Sequence, residues 1–324
     1  EWTPYAFGKS IATNEVASTS PSFSEDEIGI RYWVSSAEMS YQVGKPQISS
    51  LDYKVNDSET GEMFFYLTSR NAKYLFKGVL GLGGQQNGNV DDSDYNTNGS
   101  KGSDTTSKIG DGRLFYAYAD LGYKLNSLST SSDRTSIMGG IEYLQDVMTA
   151  RGVTCNQAGS GDFGQGQPEA SPCTTGPGQV IYGAGVKSLQ NEAEWTAFRL
   201  GMENNYHPST RFSWHNEVVL IPFADFRNND FHYLRGGTNY AAGQLGTGQP
   251  NIVDNADFSY GVQLETSIDY IILPSWSVNA GARFWEFWTP QTTTKVGNPQ
   301  IATENSYNWD YQRMGLFIGT GYHF

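Results

Sequence analysis

The chain has 324 residues, with 34 acidic against 21 basic side chains and a formal net charge of -13, a balance that excludes nucleic acid as a partner and favours cationic groups or divalent ions. Aromatic residues make up 14% of it beside 37 Gly, at a mean hydropathy of -0.49, a mixture foreign to a soluble core and suited to strands that show one face to lipid and the other to water. No run approaches the roughly 18 apolar residues of a spanning helix, so a membrane-crossing chain of this kind must close a sheet into a barrel, the other way to satisfy every backbone group in hydrocarbon.

The chain opens at Glu1-Trp2-Thr3-Pro4 without a basic, apolar targeting segment, as a mature form would. Strands are predicted near 26–36, 47–69 and 73–85, joined by an outer loop at 36–46 and a short turn at Arg70-Asn71. The second is long for a span of about 10 residues, so it either projects above the membrane or breaks into a turn in the polar stretch 55–61. A long polar loop at 85–111 leads to strands near 112–126 and 134–149. The next loop, 152–193, is rich in Gly, Pro and Gln and carries both cysteines, Cys155 and Cys173. In a chain that crosses an oxidising compartment they read as one disulfide worth about 3 kcal/mol; the rival reading, metal ligation, lacks nearby His partners.

Strands follow near 194–206 and 211–227, the latter with Phe212, Trp214, Val218 and Leu220 opposed to Ser213, His215 and Glu217. After a loop at 228–257 comes the clearest period of the chain. Its even positions are Phe258, Tyr260, Val262, Leu264, Thr266, Ile268, Tyr270 and Ile272, against Ser259, Gly261, Gln263, Glu265, Ser267 and Asp269, with Ile271 the one large apolar exception. A period of two over this length is a strand with one lipid face, since neighbouring side chains point to opposite sides. Pro274 sits in a tight turn before the strand near 276–288, and a loop at 289–308 precedes the last strand, 309–324. That strand alternates Met314, Leu316, Ile318, Tyr322 and Phe324 outward and ends on an aromatic residue, the pattern by which barrel proteins are handed to the outer-membrane assembly machinery.

Five outer loops (36–46, 85–111, 152–193, 228–257, 289–308) and four short periplasmic turns imply an all-β fold. It is a transmembrane antiparallel β-barrel of ten strands with both termini inside, a single domain over 1–324, placed in the bacterial outer membrane. Glu142, Arg199, Glu217, Glu265, Arg283 and Arg313 then face one another as a paired, hydrated lumen. Trp195, Trp214, Trp276, Trp285 and Trp288 read as interfacial girdle or lumen packing rather than a sugar platform.

Two acidic clusters stand out in the loops, where a barrel carries its function. Asp92-Ser93-Asp94 points two carboxylates the same way, and Asp230-Phe231-His232 places an acid beside an imidazole. Together they suit activation of a water: His232 as general base, Asp230 as its orienter, and the Asp pair holding the water. Other readings stand beside this one: a solvated loop at 91–98, a partial calcium loop of Asp92, Asp94 and Asn96 that lacks the Gly and the closing Glu, and an exposed His232.

These residues resemble the omptins, the ten-stranded outer-membrane proteases of Gram-negative bacteria. Asp92-Ser93-Asp94-Tyr95 and Asp230-Phe231-His232-Tyr233 match the family's Asp-x-Asp-aromatic and Asp-x-His-Tyr elements, and Leu51-Asp52-Tyr53-Lys54 is close to its Leu-Asp-Trp-Lys. The resemblance implies an endopeptidase with Asp92, Asp94, Asp230 and His232 as catalytic residues, without cofactor or metal. Its substrate would be a peptide or protein and its surroundings outer-membrane lipid, lipopolysaccharide included. The family's basic-residue pocket is not reproduced: its Glu position holds Ile30 when Arg31 is aligned with the family's Arg, with Glu25 and Glu27 nearby, and its Asp position holds Asn228. The alternative is a non-catalytic surface barrel of the same descent, structural, adhesive or lipid-binding; a diffusion pore is disfavoured because ten strands leave a narrow lumen.

Overall fold

The computed structural model describes residues 26–324 apart from 71, 97, 126–127, 130–132, 158–172 and 239–243; Glu25 and the opening residues fall outside these. Eleven strands are described: β1 (Glu27–Val43), β2 (Ser49–Thr68), β3 (Tyr74–Tyr95), β4 (Lys101–Ile109), β5 (Gly112–Lys124), β6 (Asp133–Cys155), β7 (Val180–Ser209), β8 (Phe212–His232), β9 (Ile252–Leu273), β10 (Trp276–Val296) and β11 (Ala302–His323). Each strand pairs antiparallel with its neighbours, and the sheet closes because β1 pairs on both edges, Val34 opposite Leu316 of β11 and opposite Glu59 of β2.

The ring has ten positions although eleven strands are named. β3 rises past the membrane and turns, β4 descends beside its upper half, and after a break at Gly110-Asp111 β5 continues beside the lower half. Asn87 and Asp111, both at positive φ, mark the break on the two partners. β4 and β5 are therefore the two halves of one wall position.

The two-residue period maps onto the faces as its physics requires. Phe258, Tyr260, Leu264, Ile268, Tyr270 and Ile272 point outward, as do Met314, Leu316, Ile318 and Phe324, while Ser259, Gln263, Ser267 and Phe317 are inside. In a barrel of this kind outward exposure is contact with hydrocarbon, so an exposed leucine is where it belongs. Ile271, the exception in the sequence pattern, is buried within the wall's inner layer. Trp214 and Trp276 face out and Trp195 and Trp285 face in, so the tryptophans divide between girdle and lumen.

The expected loop boundaries need correction. β1 continues to Val43, β3 to Tyr95, β8 to His232 and β10 to Val296; most of 36–46, 85–111 and 289–308 is strand among the described residues, and 228–257 is strand at its two ends, through His232 and from Ile252. In the segment 152–193, β6 ends at Cys155 and β7 already begins at Val180. The stretch 55–61 is not a turn: it stays inside β2, and the irregularity is a shift of register opposite Ser35 and Ala37 of β1. The wall therefore stands well above the lipid.

Side chains close the lumen. Arg199 on β7 binds Asp120 of β5 (3.0 Å), Glu142 of β6 (2.8 Å) and Glu217 of β8 (3.2 Å), and lies 4.0 Å over the Tyr118 ring. Arg283 on β10 binds Glu265 of its neighbour β9 at 2.7 Å and reaches across the barrel to Glu62 of β2. Arg313 on β11 reaches Asp146 of β6 at 2.7 Å, and Tyr311 donates to the same carboxylate at 2.8 Å. Trp33, Tyr116 and Trp285 pack edge to face between these layers. β1 and β5, like β6 and β11, are not neighbours in the wall, so these contacts span the interior. Below them, toward the termini, a cavity of about 110 Å³ is lined by Glu27, Lys77, His215, Glu217, Asp269 and His323 among others.

Candidate active site

The upper inner face of β8 carries Phe226, Asn228, Asp230 and His232 at alternate positions, all buried. Period two thus delivers an amide, a carboxylate and an imidazole to the lumen above the charged plug. β3 contributes Asp92 and Asp94 from the same inner face, with Asp92 opposite Leu51 of β2 and Thr105 of β4. The pair was expected in a loop; it stands instead in a strand paired on both edges, which fixes the direction of its carboxylates. That strand setting also removes the calcium-loop reading, and Asn96 turns its amide to Ser100 at 3.0 Å.

His232 Nε2 lies 3.2 Å from Asp230 Oδ2, and the Tyr41 hydroxyl donates to that same oxygen at 2.8 Å. Asp230 Oδ1 and His232 Nδ1 are buried with no protein hydrogen-bond partner, as are the Tyr53 hydroxyl and both polar atoms of the Asn191 amide. Buried polar atoms of this sort are where bound water is held. Arg235, on the turn after β8, brings Nη2 to 2.9 Å from Asp94 Oδ2 and 3.6 Å from Asp92 Oδ2. Asn251 ties the corner: its side-chain oxygen accepts from the His232 amide at 2.8 Å, and its own amide donates to the Asp230 carbonyl at 3.0 Å.

Burial, and after it the charge of Asp94, pushes the Asp92 carboxyl up to about 6, while Arg235 and His232 pull the other way and Asp230 adds to the rise. Burial likewise holds the Tyr41 and Tyr53 phenols well above their ordinary range, with the Asp230 carboxylate reinforcing both, so both stay neutral and Tyr41 donates to Asp230. Beneath the site Tyr41 stacks on Trp309 (3.6 Å, 7°), and Trp309 and Trp195 both pack on Phe226. This aromatic layer is a closely packed floor.

The structure also locates the residues that stand at and near the family's basic-pocket positions. Ile30 faces lipid and Glu27 lies at the opposite end of the barrel, 3.7 Å from His323, so neither borders the Asp230–His232 pair. Asn228 does border it, and donates at 3.0 Å to Asp254, its partner on β9. Asp254 is fully buried and also accepts from Thr292 (3.2 Å), Thr294 and Ser306 (3.0 Å). Burial raises its carboxyl.

Tyr41, Asn191, Arg235, Asn251 and Asp254 were not anticipated, and Tyr53 was singled out only as part of the Leu51–Lys54 stretch, without a role in the site. A signal existed for Tyr41, since Ala37, Met39, Tyr41 and Val43 alternate and are all buried. At the same end of the barrel Cys155 and Cys173 form a disulfide with Cα atoms 5.6 Å apart. One cluster of metal-ligand type is present among the described residues, Glu203, His215 and Glu217 in the lower lumen, but Lys77 bonds Glu217 and lies 3.7 Å from Glu203, so a cation already stands there.

No family model and no curated protein matches the chain. Among solved structures, the outer membrane protease OmpT from Escherichia coli superposes with a TM-score of 0.69 at 14% identity, over 95% of this chain and 99% of that one. The fold is the omptin barrel. It is an outer-membrane fold, and the apolar belt described above is the surface that meets the lipid. The Pseudomonas putida toluene transporter TodX (TM-score 0.35, 7% identity, 93% and 90% covered) and a Pseudomonas aeruginosa FadL homologue (0.31, 7%, 93% and 90%) are too remote to inform the reading. At 14% identity the omptin likeness speaks for the fold; the chemistry must be argued from the side chains.

Proposed function

We propose that this chain is an omptin-like outer-membrane endopeptidase that hydrolyses peptide bonds with a water activated by Asp230 and His232. The observation that carries the reading is the buried 3.2 Å contact between His232 Nε2 and Asp230 Oδ2, with Tyr41 on the same carboxylate. Asp230 fixes the ring through Nε2, which leaves Nδ1 to take a proton from water. The hydroxide formed attacks the peptide carbonyl carbon, making the new C–O bond. The imidazolium then returns the proton to the amide nitrogen as the C–N bond breaks. Asp92 and Asp94 hold the water in line, and no acyl-enzyme forms.

Asn228 is neutral and Asp254 already accepts from four side chains, so cleavage is not expected to favour basic residues. Outer-membrane lipid, lipopolysaccharide included, would surround the belt. A non-catalytic surface barrel is favoured by one observation, the near-complete burial of the pair, with Asp230 at 0% and His232 at 5% exposure. Digestion of a peptide library by the purified protein in lipid bilayers separates the two. Hydrolysis by the wild type that is lost in His232→Ala is the expected result; equal cleavage by both, or none by either, removes the protease reading.

A further inference from the structure

Asp92 and Asp94 stand two positions apart on one strand, so their carboxylates face the same space. Two such groups at close range resist being ionised together unless a cation lies between them. Arg235 is that cation: a single guanidinium nitrogen lies 2.9 Å from Asp94 and 3.6 Å from Asp92. It is also held from behind. The Arg235 amide donates to the His232 carbonyl at 3.2 Å and its carbonyl accepts from Leu245 at 2.9 Å, while the Leu245 carbonyl accepts from Asn298 at 2.9 Å and from the Asn251 side chain at 3.2 Å. Asn251 is the residue that ties His232 and Asp230, so one corner places both the imidazole and the guanidinium.

We infer that Arg235 is a positioning residue of the proposed hydrolytic centre, bridging Asp92 and Asp94 so that both stay ionised at a fixed spacing and can hold the water that His232 deprotonates. The part concerning water rests on the reading given under Proposed function; the bridging itself does not. A guanidinium suits the task because it stays charged and its planar fork has a fixed direction. The groups facing Asp92 are Asp94 on its own strand, Asp230 and His232 on β8, Arg235 on the following turn, and the neutral phenol of Tyr53 on β2. Without Arg235, three carboxylates would share this space with one imidazole.

The test combines two readouts on the full-length protein in lipid nanodiscs. Carboxyl NMR should show the Asp92 titration midpoint rising above its wild-type position near 6 in Arg235→Ala, and rising less in Arg235→Lys. Peptide hydrolysis should show the acid limb of kcat/KM moving with it. At the wild-type midpoint the variant should lose about fivefold in rate when its own midpoint has risen by one pH unit, and about tenfold more for each further unit, with activity recovering above pH 8. An unchanged midpoint, a loss of activity equal at every pH, or faster hydrolysis in Arg235→Ala would each overturn the inference. A raised midpoint in a protein that cleaves nothing would sustain the bridge and remove the protease reading, so the two failures are distinguishable.

Discussion

Arg199→Met should be among the most damaging single substitutions in this barrel, with an expected loss of about 3–5 kcal/mol. Arg199 is fully buried and holds Asp120, Glu142 and Glu217, drawn from three different strands. Methionine fills much of the same volume but leaves those carboxylates without their shared cation, and an uncompensated buried charge costs far more than a broken surface pair. Lys77 remains beside Asp120 and Glu217 but is already shared with Glu203. Arg199→Lys should lose less, because it keeps the charge and gives up the fork that reaches three partners at once. Denaturant unfolding in lipid vesicles measures both; a Met variant as stable as the wild type would show that the lumen charges are hydrated rather than paired.

Asp230→Asn should lower kcat by about 10³–10⁴-fold with little change in KM. The size of the loss is that seen when an acid that orients a catalytic imidazole is made neutral. Asp230 Oδ2 faces both His232 Nε2 and the Tyr41 hydroxyl. The amide keeps the shape, so the stacked floor of Tyr41 and Trp309 stays in place, but it removes the charge that stabilises the imidazolium. Steady-state kinetics on a cleaved library peptide reads the split. A rise in KM with kcat intact would place Asp230 in substrate binding instead.

The barrel was legible where the wall touches lipid. Along Phe258 to Ile272 and Met314 to Phe324 one face must be apolar and the other meets a polar lumen, so the period of two is written in hydrophobicity itself. Above the membrane both faces can be polar and the contrast fades. Asn89, Asp91, Ser93 and Asp94 on β3 read as loop for that reason, although the strand is paired on both edges. Glu203, Glu142 and Asp146 are charged yet fully buried, and only the barrel interior with its arginines makes that tolerable.

The candidate site was legible only in its short-range parts. Asp92 with Asp94 and Asp230 with His232 are neighbours two positions apart, and a strand puts such neighbours on one face. Tyr41 reaches Asp230 across 189 residues and Arg235 reaches Asp94 across 141, and no local pattern announces a partner so distant. The register of the closed sheet creates these contacts. Asn228 and Asp254 show the same limit, since their side chains meet because β8 and β9 pair at that level.

Direct attack by water is the core of the account, and nucleophile partitioning tests it most directly. A cleaved peptide is digested in lipid bilayers with increasing hydroxylamine, and the products are identified by mass. Direct attack by water leaves free carboxylic acid at every new C-terminus, whatever the hydroxylamine concentration. Hydroxamate accumulating in proportion to hydroxylamine would reveal an acyl-enzyme and contradict it.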